Sequence, residues 1–293
     1  MVEMFEFEIE KSVYMPGETI KGKLKLKVKH GIKVTSISIR FHGCAEVFWT
    51  TGSKFDTIHE NKVEYIDKSF IFAHNNEKFC IIGEFSFPFE IQLPSDIPSS
   101  LNGYINYYLR ACINIPWRLN KKIKRAVEIV KPIYLNRYPH LKQSVTREYT
   151  KMISSFLGKS LPVTIRLSIA KSGFVAGENI LFDAFIDNQS SRKFEACFKI
   201  MSITTMFASD KTSTTFRSNI AKTDFPFNKI LKHSQVNWNC GTLTIPEETP
   251  LSNTTSDIVK LNYFVVLRIK DEFSLKLFHA SIPITIGTTS FSN

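Results

Sequence analysis

No unbroken apolar run in this chain exceeds five residues, Tyr263 to Leu267, far short of the roughly 20 that a helix needs to cross a bilayer. The opening Met1-Val2-Glu3-Met4-Phe5-Glu6 is acidic and lacks an apolar stretch, so it does not read as a signal or transit peptide. The 12 glycines and 12 prolines are too few for a fibrous or disordered chain of 293 residues. The five cysteines contain no CxxC pair, and an odd count without a leader points to reduced thiols in a cytosolic protein. Cys80, Cys112 and Cys197 sit in β-like apolar runs, which predicts buried, inert thiols. Sequons at Asn188-Gln189-Ser190 and Asn253-Thr254-Thr255 read as chance matches for the same reason.

Motifs for chemistry are missing too. The seven histidines form no HxH or HExxH pair, and there is no GxxxxGK[ST], GxGxxG or GxSxG. That removes the usual zinc spacing, phosphate cradle and serine elbow. Acidic pairs such as Glu247-Glu248 and Asp271-Glu272 fall in turn-like contexts and read as solvated loop charges. The expectation is a protein without enzymatic activity, cofactor or metal.

What the chain does have is alternation and unevenly placed charge. Lys21 to Lys29 puts lysine at every odd position and a small or apolar residue at every even one, the pattern of a half-buried strand. Val34–Phe41, Phe85–Ile91, Val163–Ile169 and Ile282–Ile286 alternate likewise, with turns at Met15-Pro16-Gly17-Glu18 and Leu93-Pro94-Ser95-Asp96. Many short alternating strands predict an all-β antiparallel sandwich or barrel. Helix is expected only as a turn or two in Arg147 to Gly158. An internal repeat doubles the plan. Val13–Ile20 recurs as Gly173–Ile180 with its Gly-Glu 160 positions on, and Ile105–Leu109 recurs as Leu261–Val265, 156 positions on. A Leu/Ile-Pro turn precedes the later landmark in each copy. Two copies of one sandwich are therefore predicted, residues 1–145 and 161–293, with 146–160 as a hinge.

The segment Gly83–Pro94, followed by Ile97-Pro98-Ser99-Ser100, Tyr104–Ala111 and Ile115-Pro116-Trp117, resembles the central signature of the arrestin N-terminal domain in its α-arrestin, or arrestin-domain-containing, branch. Val13–Glu18 resembles the first strand and turn of that branch. Gly173–Glu178, Asn188-Gln189-Ser190 and Ile282–Gly287 resemble its C-terminal domain. The resemblance spans about residues 5 to 287. It implies two tandem immunoglobulin-like sandwiches and a non-enzymatic cytoplasmic adaptor, at the plasma membrane or endosomes, that binds cytoplasmic tails of transmembrane proteins during endocytosis and sorting. Ligase recruitment in this family runs through Pro-Pro-x-Tyr motifs; here no two prolines are adjacent. A peripheral scaffold on anionic lipid, or a regulator of other arrestins that recruits no ligase, are the alternative readings.

The net charge of +11 concentrates in two windows. Thr19 to Ala45 holds seven basic residues and no acid; Arg110 to Arg147 holds ten against Glu128 alone. Lys21, Lys23, Lys25, Lys27 and Lys29 line one face of a strand, and Lys121, Lys122, Lys124 and Arg125 follow Pro116-Trp117. Each set reads either as a solvated face that discourages edge pairing or as a dock for a phosphorylated tail or anionic headgroups. A shared face favours the second reading and opposite faces the first. No RNP-type motif or zinc finger accompanies the basic residues, and most aromatics fall on apolar strand faces, so nucleic acid is not an expected partner.

Overall fold

The computed structural model describes residues 2–52, 57–154, 160–224, 229–253, 255–271 and 277–291, without the side chains of 73–78 and 277. It is built almost wholly of β-strands in two compact units. The first unit comprises Met1–Lys131 together with Met206–Ser213 and Thr255–Val259; the second holds Pro132–Thr205, Thr214–Thr254 and Lys260–Asn293.

In the first unit β1 (Val2–Ile9), β2 (Val13–Tyr14), β3 (Thr19–Thr51), β4 (Thr57–Gln92), β5 (Ile105–Asn114) and β6 (Lys121–Ile129) pair in the order β1-β3-β5-β6-β2, with β4 along the other edge of β3. β3 has 33 residues. Straight, it would reach about 110 Å, several times the radius of a unit this size. It bends instead, and its pairing with β4 shifts register between Val28 and Ile32, Val34 and Ser36, Ile37 and Ser38, and Gly43 and Cys44. The first half of β3 therefore pairs with β1 and the end of β4, and the second half with β5 and the start of β4. These halves form two facing layers. Leu24, Leu26, Phe7, Phe89 and Ile91 line one inner surface, and Phe41, Tyr107, Leu109, Ala111 and Val127 line the other, all buried. At Gly43 a Cβ would stand 2.2 Å from the Tyr107 ring, so only glycine lets β3 pass that ring.

The second unit has β7 (Val145–Ser154), β8 (Ser160–Ile169), β9 (Gly173–Val175), β10 (Asn179–Asn188), β11 (Phe194–Phe207), β12 (Ser213–Asp224), β13 (Ser234–Thr244), β14 (Val259–Asp271) and β15 (Leu277–Gly287). They form two sheets, β13-β10-β8-β7 and β12-β11-β14-β15-β9. Phe182 of β10 stacks on Phe198 of β11 at 3.7 Å between ring centres and meets Trp238 edge-on at 4.8 Å, which joins the sheets. The helix expected in Arg147–Gly158 is a strand where it is described: Val145–Ser154 pairs with Ser160–Ile169 throughout. Residues 146–154 of the segment read as a hinge thus belong to β7, the two units divide at Lys131, and 155–159 lie outside the described residues.

The repeat is one of construction as well as spelling. Gly17 (φ 85°) and Gly177 (φ 81°) donate their amides to Pro94 O at 3.1 Å and Ile245 O at 2.9 Å. The following glutamates, Glu18 and Glu178, accept the Met15 and Val175 amides at 2.9 and 3.0 Å and pair with Lys11 and Lys171. Buried Tyr107 and Tyr263 donate to Pro98 O at 2.8 Å and Pro250 O at 2.9 Å. Burial raises both phenols well above their ordinary pKa. A short contact in parallel register closes each unit, two residue pairs of β2 on β6 and three of β9 on β15.

The cysteines depart from expectation. Cys44 is buried, Cys112 and Cys197 are half-buried, and Cys80 and Cys240 are exposed. Alternation puts every second residue of a run on the outer surface, and apolar spelling does not reveal which. The sequon residue Asn188 is fully buried, its amide donating to Arg192 O at 2.8 Å and Leu231 O at 2.7 Å.

Candidate functional site

The lysines of β3 stand outward while Leu24, Leu26 and Val28 point into the core. Their flanking strands carry carboxylates in register. Lys21 pairs with Glu90 at 3.3 Å, Lys27 with Glu84 at 2.7 Å, Lys29 with Glu3 at 3.7 Å, and Lys25 with Glu8. Lys23 lies directly across from Glu8. The hydrogen bond from Lys25 lowers the Glu8 pKa, with a smaller contribution from the charge of Lys23, and Lys27 does the same for Glu84. The row is therefore a striped surface of alternating sign.

The hairpin of β5 and β6 differs. Residues 97–127 contain six basic side chains and no acid. Lys121, Lys122 and Lys124 are exposed. Lys124 lies across from Arg110 and Lys122 across from Cys112, and the Lys124 ammonium sits 3.8 Å from the centre of the Tyr108 ring. Arg110 in turn lies across from Arg40 of β3. Arg125 points the other way: half-buried, it donates to Phe7 O of β1 at 2.6 Å. That bond runs from the inner side of one layer to a strand of the other. The lysine row and the outward cations of β6 accordingly occupy the outer surfaces of different layers. The nine sequence-predicted residues are not brought together; Lys122 and Lys124 gain Arg110 and Tyr108, which sequence reasoning left out. Their signal was present in the alternation of Asn106, Tyr108, Arg110 and Cys112 opposite buried Tyr107, Leu109 and Ala111.

Residues 4–136 match the family model of the arrestin (or S-antigen) N-terminal domain, and residues 159–291 match that of the C-terminal domain. The chain belongs to the arrestin family. It is 29% identical over 304 residues to arrestin domain-containing protein 4 of Homo sapiens, covering 99% of this chain and 71% of that protein. To arrestin domain-containing protein 17 of Caenorhabditis elegans it is 25% identical, over 98% of this chain and 71% of that one. Arrestin domain-containing protein 1 of Homo sapiens is 28% identical over 65% of this chain. These relatives place this arrestin in the α-arrestin branch. The role in kind is that of an adaptor or scaffold, in a family of non-enzymatic adaptors. No helix among the described residues is long and apolar enough to cross a membrane.

Two histidine clusters in this arrestin were invisible to spacing rules, because strand register assembles one and a turn distant in sequence completes the other. His42, buried on β3, has an Nδ1 that makes no hydrogen bond and lies 3.5 Å from Glu64 Oε2. With Asp67 these donors fall within 4.8 Å of one another. Arg40 already claims both Asp67 oxygens, at 2.7 and 2.5 Å, and holds that carboxyl below its ordinary pKa. The chemistry present there is an ion pair. In the second cluster, His59 Nδ1 contacts Asp210 Oδ2 at 2.9 Å and Thr212 Oγ1 at 3.0 Å, and its Nε2 contacts Thr51 Oγ1 at 2.8 Å. The Thr212 hydroxyl and amide, then His59, bring the Asp210 carboxyl down to about 2. With Ser209 donating its amide to Glu60 O at 3.0 Å, this chain of bonds ties residues 206–213 into the first unit.

Proposed function

We propose that this α-arrestin is a cytoplasmic adaptor that binds acidic or phosphorylated tails of transmembrane proteins during endocytosis and sorting. The observation that carries the reading is the pairing of arrestin N- and C-terminal domains across residues 4–136 and 159–291. Because the two basic sets do not share a face, the lysine row of β3 keeps the reading of a solvated face, and the selectivity falls to the outer surface of the β5–β6 hairpin alone. Arg110, Lys122 and Lys124 stand on neighbouring strands with Tyr108 beneath them, and the one carboxylate of their hairpin, Glu128, lies four residues on from Lys124 towards the end of β6. A phosphate gains charge-assisted hydrogen bonds from such a group, and arginine takes it bidentately. The charge of the β3 lysine row is already met by Glu8, Glu84 and Glu90.

Fluorescence anisotropy with matched phosphorylated and unphosphorylated tail peptides tests this. The full chain is expected to prefer the phosphorylated form, with Lys122→Glu and Lys124→Glu each weakening it by about two- to fivefold, the size of an exposed charge–charge contact. Equal affinity for both forms, or indifference to both substitutions, overturns the reading. Cargo and any ligase are then identified by affinity purification from cells.

A further inference from the structure

The turn between β5 and β6 displays two large apolar side chains to solvent. Trp117 is 93% exposed and Leu119 92% exposed. Single exposed apolar residues are ordinary. Two at this level, two positions apart and accompanied by Arg118, Lys121 and Lys122, are not. The backbone sharpens the point. Arg118 donates its amide to Ile115 O at 3.3 Å, closing a turn with Pro116 in its second position and Trp117 in its third at φ 63°. That third position belongs to glycine or asparagine by conformational preference, and a bulky residue there is strained. The backbone at this position therefore disfavours tryptophan, while its ring is left 93% exposed. Strain of this kind concentrates where a side chain serves function.

We infer that this turn inserts Trp117 and Leu119 into the interface of an anionic bilayer while the surrounding cations hold the headgroups. Indole rings favour the headgroup level. Basic side chains beside them are drawn to anionic lipid, and apolar burial plus charge attraction sum in such peripheral contacts. The occupant follows from complementarity: an apolar tip on a hairpin with six basic residues and no acid between 97 and 127 suits a negatively charged surface with a hydrocarbon interior. An adaptor for membrane-protein tails would meet its cargo on that same surface, although the inference stands on the turn alone.

Flotation of the full chain with vesicles of phosphatidylcholine, with or without phosphatidylserine, gives the test. Binding is expected only with phosphatidylserine. Quenching of tryptophan fluorescence by brominated lipid should be lost in Trp117→Phe. The double variant Trp117→Gly/Leu119→Ser should lose about tenfold or more in partitioning, and Lys121→Glu and Lys122→Glu about fivefold or more each. Because glycine suits a positive φ, Trp117→Gly is expected to melt at or above the parent temperature, which separates lost binding from lost folding. Failure of the parent to float with phosphatidylserine, or undiminished flotation of the double variant, overturns the inference. Loss of phosphorylated-tail affinity in the double variant with flotation intact assigns the turn to peptide and overturns it too. Retained tail affinity with lost flotation supports it, and leaves the adaptor reading to its own peptide experiment.

Discussion

At the residue scale, the Asp210 contact makes a pH-dependent prediction. Its carboxyl sits at about 2 in the folded unit, below the ordinary aspartate value near 4. A depressed carboxyl stabilises the folded state only while ionised. The contribution is complete above about pH 4 and is lost as pH falls towards 2. Hydrogen exchange at the Thr212 amide, bonded to Asp210 Oδ1 at 2.9 Å, should accelerate over that interval. In Asp210→Asn the same amide should exchange faster at neutral pH, with little further acceleration on acidification. An unchanged rate in that variant would remove the carboxylate from the account. No sequence rule pointed to this residue. Asp210 and His59 are 151 positions apart, and only the folded backbone makes them neighbours.

At the scale of elements, β3 shows what a sequence window does and does not reveal. Alternation in Lys21–Lys29 identifies the strand and both its faces, because period two is local. The partners of those lysines are set by register with β1 and β4, and Glu84 and Glu90 lie more than 50 residues away. A window holding seven cations and no acid therefore overstated the field at the surface. The consequence is measurable. Lys25→Glu/Lys27→Glu should lower the melting temperature, since it sets like charges against Glu8 and Glu84. It should change phosphopeptide affinity far less than Lys122→Glu/Lys124→Glu; the reverse order would move the binding surface to β3. β7 failed to read as a strand for a related reason. Most of Val145–Ser154 is exposed on both faces, so no buried set of alternate residues marks it.

At the scale of the molecule, the two-copy plan was legible because each copy keeps costly local features: a glycine at positive φ, a glutamate receiving a backbone amide three residues back, and a buried tyrosine bonded to a proline carbonyl. Domain limits were less legible, because compactness does not follow chain order. Residues 206–213 and 255–259 belong to the first unit although they lie within the C-terminal family match. Tyr65 meets Ser256 at 3.0 Å, and Asn61 donates to Phe207 O at 3.3 Å. A fragment ending at residue 145 forfeits these bonds and uncovers Tyr65 and His59. Its β3–β4 amides should exchange faster than the same amides in the full chain. Equal protection in both would show that the later segments are dispensable to the first unit.

The pairing of β3 with β4 runs from Thr19 and Gln92 to Thr51 and Thr57, interrupted by four shifts of register, and passes through both layers of the first unit. A sandwich of separate strands can shear, one sheet sliding over the other. Here a single ribbon is stitched through both sheets, so sliding would have to tear its own ladder. Deformation is left to the four register shifts between Val28 and Cys44, which act as the joints of an otherwise stiff truss.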